Sequence, residues 1–279
     1  MDRLREARIR GGLLSVEEAA ALSTVGFEPV CEVLGAVANR VGTRGFYTPA
    51  ARPQFLMPRL ASSDYRTYTS SMRTVAVGVP QSILALKAGY RTALSRLTAE
   101  ASAAGADGVV GLTIQRTVLA LGEFPVWTFL AIGTAVRSVG RVHAANPFTT
   151  DLSAAQTAAA IRGGWLPVSY LFAPCRAIRA VDPVSSGQRA RAAPNGEIDA
   201  YTDLVTSCRR QARADFTRAA AAVHADGAVQ SSMTLDLHVH PRDVGTAQVT
   251  ITGTALARFR ARGVRPHALT IMPLKAGVH

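Results

Sequence analysis

Lysine is almost missing from this chain. Only Lys87 and Lys275 occur among its 31 basic residues, so the net charge of +12 is carried by arginine. Cysteine is also scarce: Cys31, Cys175 and Cys208 are an odd number, scattered and without a CxxC pair. That excludes a disulfide framework and a zinc ribbon and leaves buried, reduced thiols. No window approaches the roughly 18 uninterrupted apolar residues needed to span a bilayer, although 48% of residues are hydrophobic. Met1 to Arg10 is arginine-rich with no apolar run behind it, unlike a secretory leader, and the expected location is cytoplasmic. There is no GxSxG, no HExxH, no phosphate-binding GKS/T loop and no GxGxxG between strand and helix, and acids are too few to suggest a carboxylate pair. These absences point away from an enzyme.

What is present is a repeated pattern, and a length of 279 residues that suffices for two domains. Leu86, Tyr90, Ala93, Leu97 and Ala101 recur at helical spacing and predict an amphipathic helix. Gly105 ends it, Asp107-Gly108 supplies turn chemistry, and Val110, Leu112 and Ile114 begin a strand. Val223 to Gln230 repeats this junction in altered form, with His224 where Gly105 stands. Upstream, Ser15 is a helix N-cap with Glu17 and Glu18 in the first turn, Gly26 stops the helix, and Glu28 to Gly35 reads as a strand. Ser153 to Ile161 followed by Gly164 to Val168 matches this opening at a constant offset. Further matches are Ala93 and Leu97 with Ala212 and Phe216, and Gly133-Thr134-Ala135 with Gly253-Thr254-Ala255.

The copies differ in two ways. The first carries extra residues at about 43–72, rich in proline and aromatics, which read as a cover for apolar surface or a docking segment. Its shorter equivalent, Asp182 to Gly196, reads as a flexible loop. The last strand of the first copy, Val126 to Val136, is apolar on both faces and should be covered on both. Its counterpart turns Gln248, Thr250, Thr252 and Thr254 to one side, predicting one wet sheet face. Ser232, Thr234, Asp236, His238 and His240 extend that face on the preceding strand, with Met233, Leu235 and Val239 turned inward.

Glu28 to Gly35, the helix with Ala93-Leu94 and Leu97, Gly105 to Gly111 and Gly133 to Val136 resemble the YbjQ-like family, a group labelled heavy-metal-binding domains. Leu166 to Phe259 looks like a degenerate second copy. The resemblance implies an α+β fold of two tandem β-α-β-β (dodecin-like) units, each preceded by a short helix, and assembly into five-membered rings through edge strands. No catalytic residue comes with it. The expected organisation is an N-terminal helical segment (1–26), a first repeat (27–140), a linker and helix (141–163) and a second repeat (164–279) with a C-terminal strand. Two stacked rings, one per repeat, are the expected assembly, with Val139 to Leu152 crossing between layers and stacking covering the doubly apolar sheet. The expected function is a non-enzymatic, ring-forming binding platform.

Two other functions suit particular residues. His238 and His240, two apart on a strand, project from one face and suit a divalent transition metal, although zinc sites normally take three or four protein ligands. His224 reads as a helix cap, and His143, His267 and His279 have no ligand spacing. Arg258, Arg260, Arg262 and Arg265, with Arg3, Arg5, Arg8 and Arg10 at the other end, suit an anionic partner such as nucleic acid, a membrane surface or an acidic protein.

Overall fold

Ser15 caps helix α1 (Val16–Ser23): its hydroxyl accepts from Glu18 N at 3.2 Å, while the Glu18 carboxylate accepts from Ser15 N at 3.0 Å. Two orphan amides are satisfied reciprocally. Gly26, at φ 79°, then turns the chain into strand β1 (Phe27–Arg40). The computed structural model is described over residues 14–40, 65–70, 73–78, 81–121, 124–140, 146–180, 183–190, 196–240, 244–259 and 271–273. The remaining elements are β2 (Tyr65–Ser70), β3 (Arg73–Gly78), α2 (Gln81–Ala103), β4 (Gly108–Leu121), β5 (Phe124–Ser138), β6 (Phe148–Thr149), α3 (Ala154–Arg162), β7 (Trp165–Ala180), α4 (Pro183–Gln188), α5 (Asp199–Ala222), β8 (Gly227–His240), β9 (Val244–Arg258) and β10 (Ile271–Pro273). Among the described residues, no helix is long and apolar enough to cross a membrane.

The protein is α+β, with two sheets of order β1-β5-β4-β6 and β10-β8-β9-β7-β3-β2. The set β1, α2, β4, β5 and the set β7, α5, β8, β9 share one order and one antiparallel pairing. Register breaks recur as well, at Pro29/Cys31 and Pro167/Ser169, and at Val110/Thr113 and Gln230/Ser232. Asp107 and Asp226 occupy the same place in each set: their carboxylates accept from Ser138 N at 2.7 Å and Arg258 N at 2.9 Å, tying the start of one strand to the end of its neighbour. The Asp-Gly pairs are therefore strand ties as well as turn formers. His224 takes the left-handed conformation (φ 55°) that Gly105 adopts (φ 70°), as its reading as a cap requires.

Helix α2 packs on the first sheet through Leu97, Phe129 and Ala131. Its back meets the second sheet, where Tyr90 stacks on Phe172 with ring centroids 3.7 Å apart. Helix α5 covers the far face of the second sheet through Leu204, Phe216 and Ile251. The layers thus run sheet, helix, sheet, helix. Cys175 and Cys208, scattered in sequence, lie together in this last core, with the Cys208 thiol donating to the Cys175 carbonyl at 3.5 Å. Hydrogen bonding to Cys208 and burial hold the Cys175 thiol far above its ordinary value, so it stays protonated.

Several expectations need correction. The doubly apolar strand β5 buries Trp127, Phe129 and Ala131, but Val126, Leu130 and Ile132 on its other face are only half-buried, and beside them Leu34 and Leu119 are exposed. The second sheet packs on α2 instead of on that outer face, because Tyr170 and Phe172 offer α2 an apolar surface. Residues 182–196 are not all loop: Pro183, whose fixed φ suits a first helical position, opens α4, and Gln188 bonds Asp199 at the start of α5. Part of the 43–72 insertion forms strand β2. Paired with β3, it extends the second sheet, since β3 joins β7 at Ala76↔Ile178 and Gly78↔Arg176. Residues 41–64 and the predicted helix at 2–10 lie outside the described residues.

Candidate functional site: a cleft between the sheets

Helix α2 lies across β1 and β5 and hardly reaches β4. A helix is roughly 10 Å across with its side chains, so beyond its flank the two sheets are held apart. The result is a cleft of about 370 Å³. Leu86 and Tyr90 of α2 form its floor, and Leu112, Ile114 and Arg116 of β4 form one wall. The opposite wall is the polar face of the second sheet: Gln248, Thr250 and Thr252 on β9, Ser232, Thr234 and Asp236 on β8. Asp151 and Tyr170 also line it.

The end at Asp151 is built by hydroxyl bonds. Gly111 N donates to Leu152 O at 2.9 Å and Leu112 N to Thr150 O at 3.0 Å, which fixes the 150–152 segment on β4. Thr254, buried on β9, donates to Asp151 Oδ1 at 2.6 Å and lies 2.8 Å from the Thr150 hydroxyl. Burial pushes the Asp151 carboxyl above the usual carboxylate range, with hydrogen bonds from Thr254 and Ser231 opposing it. Burial likewise raises Tyr90 and Tyr170, so both phenols stay neutral and keep their donors. Arg116 stands over the Trp127 ring at 5.2 Å. The wet face expected on the second sheet is thus partly enclosed: Thr254 and Thr246 are buried, Gln248, Thr250 and Thr252 are half-buried, and only β8 is open.

His238 shares the cleft-side face of β8 with Asp236, two residues further along, and is exposed. The His240 side chain lies outside the described residues. No group of three His, Cys, Asp or Glu able to hold a metal occurs among the described residues. Arg258 ends β9 with its guanidinium over Trp165 at 5.7 Å, and its backbone N–H is bonded to Asp226. Arg260, Arg262 and Arg265, like Arg3, Arg5, Arg8 and Arg10, lie outside the described residues. The structure brings Asp236 to the cleft beside Tyr90, Arg116, Asp151 and Tyr170, which sequence reasoning had not grouped. Those four come from four separate segments of the chain, and the divergence of β9 toward threonine is the signal the sequence offers.

A second surface stands out on the opposite face of β8. Helix α5 covers β7 and β9 and scarcely touches β8. Met233, Leu235, Leu237 and Val239 are consequently 40–48% exposed, where Met233, Leu235 and Val239 had been expected to turn inward. Among the described residues, the outer edge of β8 is paired only at Gly227–Val229, by β10. By contrast, the edge of β1 is engaged by α2, whose Glu100 accepts from Leu34 N at 3.0 Å and whose Arg96 donates to Ala36 O.

Architecture and surface define an α+β protein in which, among the described residues, a strand-helix-hairpin pattern occurs twice, a cleft lies between the two sheets and the apolar face of β8 is bare. No family model and no solved structure matches the chain. The protein named Encapsulin nanocompartment protein Rv1762c, from Mycobacterium tuberculosis, is 28% identical to it over 167 residues. The match takes in 58% of this chain and 54% of that protein, so the chain spans about half the length of this curated relative.

Proposed function

We propose that the protein is a non-enzymatic, self-assembling binding platform, in which copies join through the edge of β8. The observation that carries this is the pairing of two properties on one strand. From Gln230 to His240 the outer edge has no strand partner among the described residues, and Met233, Leu235, Leu237 and Val239 form an apolar ladder that α5 leaves bare. An unpaired edge supplies backbone donors and acceptors, and the ladder supplies surface to remove from water. Both properties suit addition of a neighbouring chain.

The repeated β-α-β-β sets support a dodecin-like arrangement of two tandem domains, and a closed ring, five-membered as the family resemblance implies, is the proposed assembly. A nanocompartment, as the Mycobacterium tuberculosis relative is named, is a built enclosure, which agrees with self-assembly. Native mass spectrometry with particle imaging tests the proposal. A discrete closed oligomer is the expected result, and a stable monomer at micromolar concentration would overturn it.

A further inference from the structure

The polar wall of the cleft is not something the fold requires. In the first set, the positions equivalent to Thr250 and Thr252 are Leu130 and Ile132, in a strand with the same pairing. Ser232 and Thr252 bond each other across the wall at 2.7 Å, while Thr234, Gln248 and Thr250 turn further polar groups to the cleft, and a half-buried polar group is held without cost only where something bonds it. We infer that the cleft binds a small, neutral, polyhydroxylated molecule, of the chemical class of sugars and cyclitols.

The lining suits that class on three counts. Ser232, Thr234, Gln248, Thr250 and Thr252 carry groups that both donate and accept, as each hydroxyl of a polyol demands in return. Leu86, Ile114 and Phe172 give apolar surface for the C–H face of a ring. The charges also discriminate. Among the described lining residues a single guanidinium, Arg116, already over Trp127, is set against the carboxyls of Asp151 and Asp236. The cleft therefore lacks the excess of positive charge that a phosphate or carboxylate ligand needs. Its volume of about 370 Å³ falls at the small end of ligand sites, which run roughly 300–1,000 Å³.

Saturation-transfer NMR and calorimetry with glucose, trehalose and myo-inositol, alongside glucose 6-phosphate, test this. At least one neutral probe should bind saturably, more tightly than glucose 6-phosphate. Thr250→Val should weaken that binding about tenfold, as loss of a hydrogen bond to ligand does. Valine suits this strand position, since the first set carries leucine there. Circular dichroism checks that the variant is folded, and Gln248→Leu gives a second reading. Absence of saturable binding up to tens of millimolar, tighter binding of the phosphate, or affinity unchanged in both variants would each overturn the inference. Oligomeric state, read on the same samples, should not move, which separates this site from the β8 interface.

Discussion

Replacing Leu235 and Leu237 by aspartate asks whether the bare strand is an interface. Full burial of an aliphatic side chain contributes about 1.5–3 kcal/mol. Four ladder residues that are 40–48% exposed hold back a little under half of that each, so covering them contributes about 3–5 kcal/mol per contact. The two central residues account for about half, or roughly 2 kcal/mol, which is about thirtyfold in a dissociation constant. Burying two unpaired carboxylates in the same contact makes the loss larger. Sedimentation velocity over a concentration series should therefore show the variant dissociating at concentrations at least about thirtyfold above the wild type. Its thermal midpoint as a monomer should not fall, because neither leucine is part of the buried core. An assembly of unchanged size and concentration dependence refutes the role of β8.

Gly35→Ala should be among the more damaging single-methyl additions. A Cβ there would lie 2.6 Å from Leu97 N and closer still to the Ala93 carbonyl oxygen, both backbone atoms that cannot rotate away. The expected cost is about 3 kcal/mol, or roughly 6–12 °C in the midpoint by calorimetry; a shift under about 2 °C would contradict the close approach. Gly105→Ala meets nothing within 4 Å but must hold φ near 70°, and should cost only about 1 kcal/mol. His224→Gly, at the equivalent left-handed position (φ 55°), should stabilise by about 0.5–1 kcal/mol. Asp151→Asn keeps an acceptor for Thr254 and removes the desolvated charge. Because the folded carboxyl titrates above its ordinary value of 3.8, its contribution to stability is full below that value and is lost as pH rises through the raised one. Denaturant melts should accordingly find the variant gaining on the wild type toward neutral pH and losing that gain in acid; a pH-independent difference refutes the desolvation argument.

Periodicity made the helices and strands legible wherever local chemistry decides them. Ser15 and Ser153 cap helices, Gly26 and Gly164 turn left-handed, and Ala93, Leu97, Ala212 and Phe216 are buried as their matched spacing predicts. The cleft was legible only in part. Alternation told which side Thr250 and Asp236 face, but not that α2 would hold a second sheet opposite them. That depends on Tyr90 meeting Phe172, 82 positions away, and a helical Tyr90 reads as ordinary core until its partner is known. Exposure of Met233, Leu235 and Leu237 was hidden for a related reason. Alternation assigns a face and says nothing of how far a helix reaches across it.

The β2–β3 hairpin has a consequence for how the chain is made. It pairs with β7, so Gly78 meets Arg176 only after about 100 further residues have left the ribosome, a delay of about 5–20 s. Over that interval an already formed ribbon has its final neighbour still untranslated, and its edge is open to wrong pairings. Slowing translation between codons 80 and 165 should lengthen that exposure and lower soluble yield, and a fragment ending at residue 140 should leave the ribbon permanently unmatched. The two strand-helix-hairpin sets share one order, but a ribbon that precedes the first helix of the pair is matched only by a strand of the later set, so the earlier part of the chain waits for the later one.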